Sequence, residues 1–325
     1  MKVRIGFGLG THTAANEAGS FGGLVDALED LRFDSLWLSE RLTGGAPDPL
    51  TALAFAAGRT RKLKLGTSVL VLPGRNPVVL AKEMASLDRL SAGRFLPAVG
   101  LGAPTPVEHQ AFGVDRTERA AWFDEALGLM RRLWTEDRVT HHGERFHIDD
   151  VALRPKPIQQ PIEVWLGGQA PSELRRVGRL GDGWLPSFCT VDDVAEGWAL
   201  VTEAAAAHDR TIDPEHLGTL VTYTYGAVPD RVRALLAARR PGLDPAAVVP
   251  AGLDALRARL VELTEVGASK FVVVPLEEPV DWASELASVM DALGDLQDGA
   301  TPDAAPARRA ARGGSAGRAS DAATG

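Results

Sequence analysis

Apolar positions along this chain alternate between two rhythms, a short continuous run and then a stripe of helical spacing. Residues 64–102 show this best. Residues 65–72 form an apolar run too short for a lone buried helix and broken by Pro73-Gly74, so it reads as a strand buried on both faces. Asn76-Pro77 offers a helix cap with proline in the first turn, and Leu80, Met84 and Leu87 then recur on one stripe. Ser91-Ala92-Gly93 stops that helix, and residues 94–100 read as a second buried strand closing on Gly-Leu-Gly. Strand, helix, strand is one right-handed unit of a parallel sheet, whose ligand chemistry collects at the carboxyl ends of the strands. Those ends carry Thr67, Ser68, Gly100 and Gly102.

The same alternation predicts strands at 3–9, 34–39, 162–166, 183–186, 219–225 and 270–274. Helices are predicted around Leu24, Leu28 and Leu31, from an Asp48-Pro49 cap to residue 57, and over 118–134, 172–180, 194–208, 253–266 and 282–296. An irregular insert rich in His, Pro and Arg occupies 139–160, and a polar segment holds Pro229, Pro241, Pro245 and Pro250. Eight strands with helices between them close most naturally into a (β/α)8 TIM barrel with insertions, a single α/β domain over 1–297. An open doubly wound sheet is the alternative, but no Gly-x-Gly-x-x-Gly opens the first helix. Residues 298–325 carry almost no large apolar side chain and are expected to be a disordered tail.

Composition narrows the partners. The 325 residues are 45% hydrophobic and 24% charged, with a net charge of −8, which supports a core and argues against nucleic acid or an anionic membrane. The one cysteine, Cys189, cannot form an internal disulfide and suits a reducing compartment, where a structural role fits it best. Neither a signal peptide nor a membrane helix is evident, so a cytoplasmic location is expected.

Chemistry is sought at the strand ends. Gly167-Gly168-Gln169, ahead of a helix, leaves backbone N–H groups free to meet a phosphate or phosphodiester. The hydroxyls of Thr67 and Ser68 are unusual in so apolar a run and need partners or a ligand. Ser39-Glu40-Arg41 puts charges at the barrel mouth, and His12 follows the first strand, where it could face a ligand. His141, His142 and His147 lack the regular spacing of a metalloenzyme motif and read as solvated insert residues.

These residues bring out a resemblance. FDSLWLSERL at 33–42, the block GTSVLVLPGRNPVVLAKEMASLDRLSAGRFLPAVGLG at 66–102, IEVWLGGQ at 162–169 and LGDGWLP at 180–186 resemble the bacterial luciferase-like superfamily of flavin- and deazaflavin-dependent oxidoreductases. The resemblance spans the chain up to the tail. It implies a cofactor at the barrel mouth, with a non-proline cis peptide at Ser68-Val69 pressing on the ring from behind and phosphate against Gly167, Gly168 and Gln169. Arg41, Thr67 and Gly102 complete the expected cofactor contacts, and Glu40 and His12 are the expected catalytic pair. Some relatives have Asp-His where this chain has Glu40-Arg41. Some sugar-phosphate dehydrogenases of the family carry a glutamate shortly after strand four, where the matching run here is GLGAPTP, with Ala103 and Pro104.

The resemblance further implies coenzyme F420 and hydride transfer to a small organic substrate, since the Ser-Glu-Arg ending looks closer to the deazaflavin members. FMN with oxygen and a partner reductase is the alternative cofactor chemistry, and a non-catalytic flavin-binding relative is a third reading. A homodimer is common in such families. Loops 103–118 and 139–160 are expected to set the substrate.

Overall fold

The computed structural model describes residues 2–298 except His12, Ala14 and Pro104. Its first half is strictly alternating: β1 (Arg4–Leu9), α1 (Ala18–Asp30), β2 (Ser35–Leu38), α2 (Pro49–Arg59), β3 (Lys64–Val71), α3 (Pro77–Leu90) and β4 (Phe95–Gly100). Two helices follow, α4 (Pro106–Phe112) and α5 (Arg119–Thr135), then an antiparallel hairpin of β5 (Val139–His142) and β6 (His147–Val151). The second half comprises β7 (Trp165–Leu166), α6 (Pro171–Leu180), β8 (Gly183–Trp184), α7 (Val191–Ala206), β9 (Gly218–Tyr223), α8 (Asp230–Arg239), α9 (Leu253–Glu265), β10 (Lys270–Pro275) and α10 (Trp282–Asp298).

Eight strands lie in the order β8-β7-β4-β3-β2-β1-β10-β9, every pairing parallel. Two single parallel bridges, Trp184 to Leu217 and Ser187 to Leu220, join the ends of that row and close the ring. This is the expected (β/α)8 barrel, with the helices outside.

Local chemistry explains the elements. Asn76 accepts the N–H groups of Val78 and Val79 at the start of α3, and Leu80, Met84 and Leu87 are buried as their spacing predicts. Helix α7 begins at Val191, earlier than its apolar stripe suggested, because Thr190 and Asp193 cap each other's backbone N–H groups.

The axis of the barrel is filled by Trp37, Ala98, Trp165, Leu185, Val272 and Val274. Trp37 fits because its register partner on β3 is Gly66, where a side chain would run into the indole ring. Burying roughly 200 Å² of such a ring contributes about 5 kcal/mol before conformational entropy is subtracted.

Three segments differ from expectation. Residues 139–160 are not wholly irregular: they include the β5–β6 hairpin, fastened to α5 by Glu125, which accepts the N–H groups of Arg145 and Phe146 and faces His141 at 3.0 Å. The loop after β4 contains α4, closed by Gly113 in the left-handed region. The proline-marked polar segment contains α8, whose buried Val232 and Leu236 pack with Val248 and Val249 as a small cluster separate from the main core. The expected disordered tail lies outside the described residues beyond position 298. No helix among the described residues is long and apolar enough to cross a membrane.

Candidate functional site

At the carboxyl ends of β3, β4, β7 and β8 the barrel opens into a cavity of about 1020 Å³. One wall is β3. Its Ser68-Val69 peptide is cis, and its register with β4 shifts there in a β-bulge. A bulge breaks the in-out alternation of a strand, so the successive side chains Ser68 and Val69 both line the cavity. The Ser39 hydroxyl donates to the Ser68 carbonyl at 2.8 Å and steadies the bulge. Gly100 and Gly167 leave room beside Val69, since a Cβ at either would come within 2.7 and 3.1 Å of its methyl groups.

The wall continues at the β7–α6 turn, Gly167-Gly168-Gln169. Gly168 has φ of +111°, the Trp184 indole donates to its carbonyl at 2.9 Å, and the Gln169 amide donates to the Ser187 carbonyl. The N–H groups expected to be free here are not all free. Glu173, in the first turn of α6, accepts the N–H of Gln169 at 2.9 Å and of Ala170 at 3.0 Å.

Glu40 lies in the wall at the end of β2, with its side chain 2% exposed. It accepts the Val71 N–H at 2.6 Å and pairs with Arg75. Burial pushes its carboxyl above the ordinary range, against the pull of Arg75 and the Val71 N–H. Gly102 also lines the cavity, with φ of +83° under Val71.

Two expected contacts do not reach the cavity. The Thr67 hydroxyl is spent on the neighbouring strand, donating to the Ala98 carbonyl at 2.7 Å and accepting its N–H at 3.0 Å. Arg41 turns away toward Glu108, 4.0 Å distant. His12 lies outside the described residues, while its neighbour Thr11 lines the wall.

An acid after β4 is present, farther along than Ala103: Glu108 on α4 accepts the Leu42 N–H, the Thr43 N–H and the Thr43 hydroxyl. Burial alone would raise its carboxyl, yet those bonds and Arg41 hold it below the ordinary range. It therefore ties the β2 loop to α4 and does not face the cavity.

The sequence reading missed the basic rim. Arg116, Arg119, Arg176, Arg239 and Arg240 all line the cavity. Arg119 donates to the carbonyls of Leu101 and Gly102 at 3.1 Å each, and burial beside Arg116 lowers its proton affinity. Arg176 pairs with Asp124 and Arg240 with Asp193. The guanidinium groups of Arg116 and Arg239 have no hydrogen-bond or ion-pair partner among the described residues. Arg116 and Arg119 were findable, since barrel topology puts the segment between β4 and α5 at the mouth. Arg239 and Arg240 were not, because α8 carried no clear stripe.

Cys189 also lines the cavity, but burial and Asp193 push its thiol up to about 12, which keeps it protonated and structural. No residue of 139–160 contributes to the wall.

Against known proteins, the family model described as luciferase-like monooxygenase matches residues 2–295. The F420-dependent glucose-6-phosphate dehydrogenase of Kineococcus radiotolerans is 34% identical over 167 residues, which cover 48% of this chain and 49% of that protein. The 4-hydroxyprotoasukamycin monooxygenase of Streptomyces nodosus subsp. asukaensis is 32% identical over 204 residues, covering 58% of this chain and 54% of that one. The match thus spans only about half the length of these curated relatives. An F420-dependent secondary alcohol dehydrogenase, solved with an F420–acetone adduct, shares the fold with a TM-score of 0.72 at 19% identity, over 90% of this chain and 99% of that one. Matched along nearly all its described length by the family model, and folded as the barrel its motifs implied, this chain belongs to the luciferase-like monooxygenase family.

Proposed function

We propose that this protein is an oxidoreductase that uses coenzyme F420 to exchange a hydride with a small organic substrate at the barrel mouth. One observation carries the reading: a single cavity sets the Ser68-Val69 bulge against the Gly167-Gly168-Gln169 turn. The bulge offers an apolar back wall for a planar ring, and the glycine turn lets backbone approach a phosphodiester closely. At about 1020 Å³ the cavity has room for a cofactor and a substrate together. The relatives named for F420 favour the deazaflavin over FMN.

When bound, a deazaflavin supplies reversible two-electron hydride chemistry without activating oxygen. The chain's own residues orient and discriminate. Val69 forms the back wall, Gly100 and Gly167 keep the space beside it clear, and Trp184 and Ser187 hold the glycine turn through Gly168 and Gln169. Glu40 is the carboxylate of the β2 end, and its burial favours holding a proton beside the substrate. His12 remains the second proton-handling candidate, and the basic rim favours an anionic ligand.

Fluorescence titration of the apoprotein with oxidised F420 and, in parallel, FMN tests the cofactor. Micromolar quenching by F420 alone is the expected result. Tight binding of FMN alone would replace this reading with an FMN monooxygenase fed by a reductase, the second reading that the Streptomyces monooxygenase supports.

A further inference from the structure

The β7–α6 turn already holds an anion, and the anion belongs to the chain. Glu173 Oε2 accepts both the Gln169 and Ala170 N–H groups, two of the backbone donors this turn offers a phosphate. The fit is close. A Cβ at Gly168 would stand 2.8 Å from both the Cβ and Oε2 of Glu173, so nothing slips between the turn and this side chain. A ligand oxygen reaches those N–H groups only when Glu173 moves.

The same wall provides somewhere for it to go. Arg119 interacts electrostatically with Glu173, and the guanidinium of Arg116, which lowers the proton affinity of Arg119, has no hydrogen-bond or ion-pair partner among the described residues. Both arginines and Glu173 line the one cavity.

We propose that Glu173 is a specificity-determining competitor for the cofactor's phosphate: it holds the anion cradle until a phosphate or phosphodiester displaces it toward Arg116 and Arg119. Binding then exchanges one anion for another. A flavin without phosphate leaves Glu173 seated and gains nothing from the cradle. This inference rests on the proposed cofactor reading and adds a discriminating residue to it.

The test compares wild type, Glu173→Gln, Glu173→Ala and Arg116→Ala, each titrated with F420, FMN and riboflavin, which lacks the phosphate. Removing the carboxylate is expected to tighten the phosphorylated ligand that wild type binds by about tenfold, and to leave riboflavin within about twofold. Arg116→Ala is expected to weaken that phosphorylated ligand alone. Inorganic phosphate should raise the melting temperature of Glu173→Ala more than that of wild type. Glu173→Gln keeps a side chain that can accept the two N–H groups, so it serves where the alanine variant folds poorly.

A phosphorylated ligand that binds wild type and is unchanged or weaker in both Glu173 variants overturns the role of Glu173 and leaves the cofactor reading standing. So does an equal gain for riboflavin, which would mean a general loosening of the cavity. Failure of every form to bind either phosphorylated cofactor overturns both.

Discussion

Glu40 is held in one pose by two partners, the Val71 N–H and Arg75, while burial raises its hold on a proton. If it handles the substrate's proton, Glu40→Gln should lower turnover by about a hundredfold while changing the cofactor dissociation constant little. Unchanged turnover would reduce Glu40 to an anchor for the end of β3. At this scale the sequence was legible wherever a residue closes a barrel strand, as with Glu40, Ser68, Val69, Gly102 and Gly167 to Gln169. Thr67 misled because a hydroxyl in an apolar run looks like a ligand contact, and its true partner is the backbone of Ala98 on the next strand. Glu173 was invisible as an occupant, since a first-turn glutamate announces only a cap.

The hairpin β5–β6 was read as a substrate loop, yet it rides on α5 away from the cavity. Glu125→Ala should therefore cost about 2 kcal/mol in a denaturant titration by stranding the Arg145 and Phe146 N–H groups. Cofactor affinity should stay put, and a large loss of affinity would return the hairpin to the site. Helix α8 is the opposite case, overlooked among prolines and yet lining the mouth through Leu235, Leu236 and Arg239. Its buried apolar contacts are confined to the small satellite cluster, with Arg231 donating to the Leu276 carbonyl and Arg240 paired with Asp193 at its end. Its amides are expected to exchange with solvent well before those of β3, and a ligand filling the cavity should slow them. Protection of α8 equal to that of β3 would contradict this.

Across the whole molecule, alternation of runs and stripes was enough to read the barrel, but not the charges that gather beneath it. Asp34, Lys64 and Lys270, from the starts of three strands, meet at the amino-terminal end, with lysine to carboxylate distances of 3.0 and 3.2 Å. Burial alone would raise the Asp34 carboxyl, yet Lys270 and Lys64 hold it below the ordinary range. Burial pushes the Lys270 ammonium down to about 8. A carboxyl with a depressed folded pKa stabilises the protein above about pH 4 and loses that contribution as pH falls further. Lys270 works the other way: its penalty is full below about 8 and is relieved as pH climbs toward the ordinary lysine value. Asp34→Asn should lower the melting temperature at pH 7 and flatten its fall below pH 4, and an unaltered acid limb would remove Asp34 from the account. Such a cluster is not legible from one dimension, because its members are far apart in the chain. The ring also has an uneven build. Strands β7 and β8 are two residues each, and only single bridges fasten β8 to β9. The slender staves and the clasp border the cavity on one side, and the broad β3 and β4 border it on the other. A lineage of such barrels can therefore reshape what it accepts by altering its most yielding sector, and inherit the rest of the frame untouched.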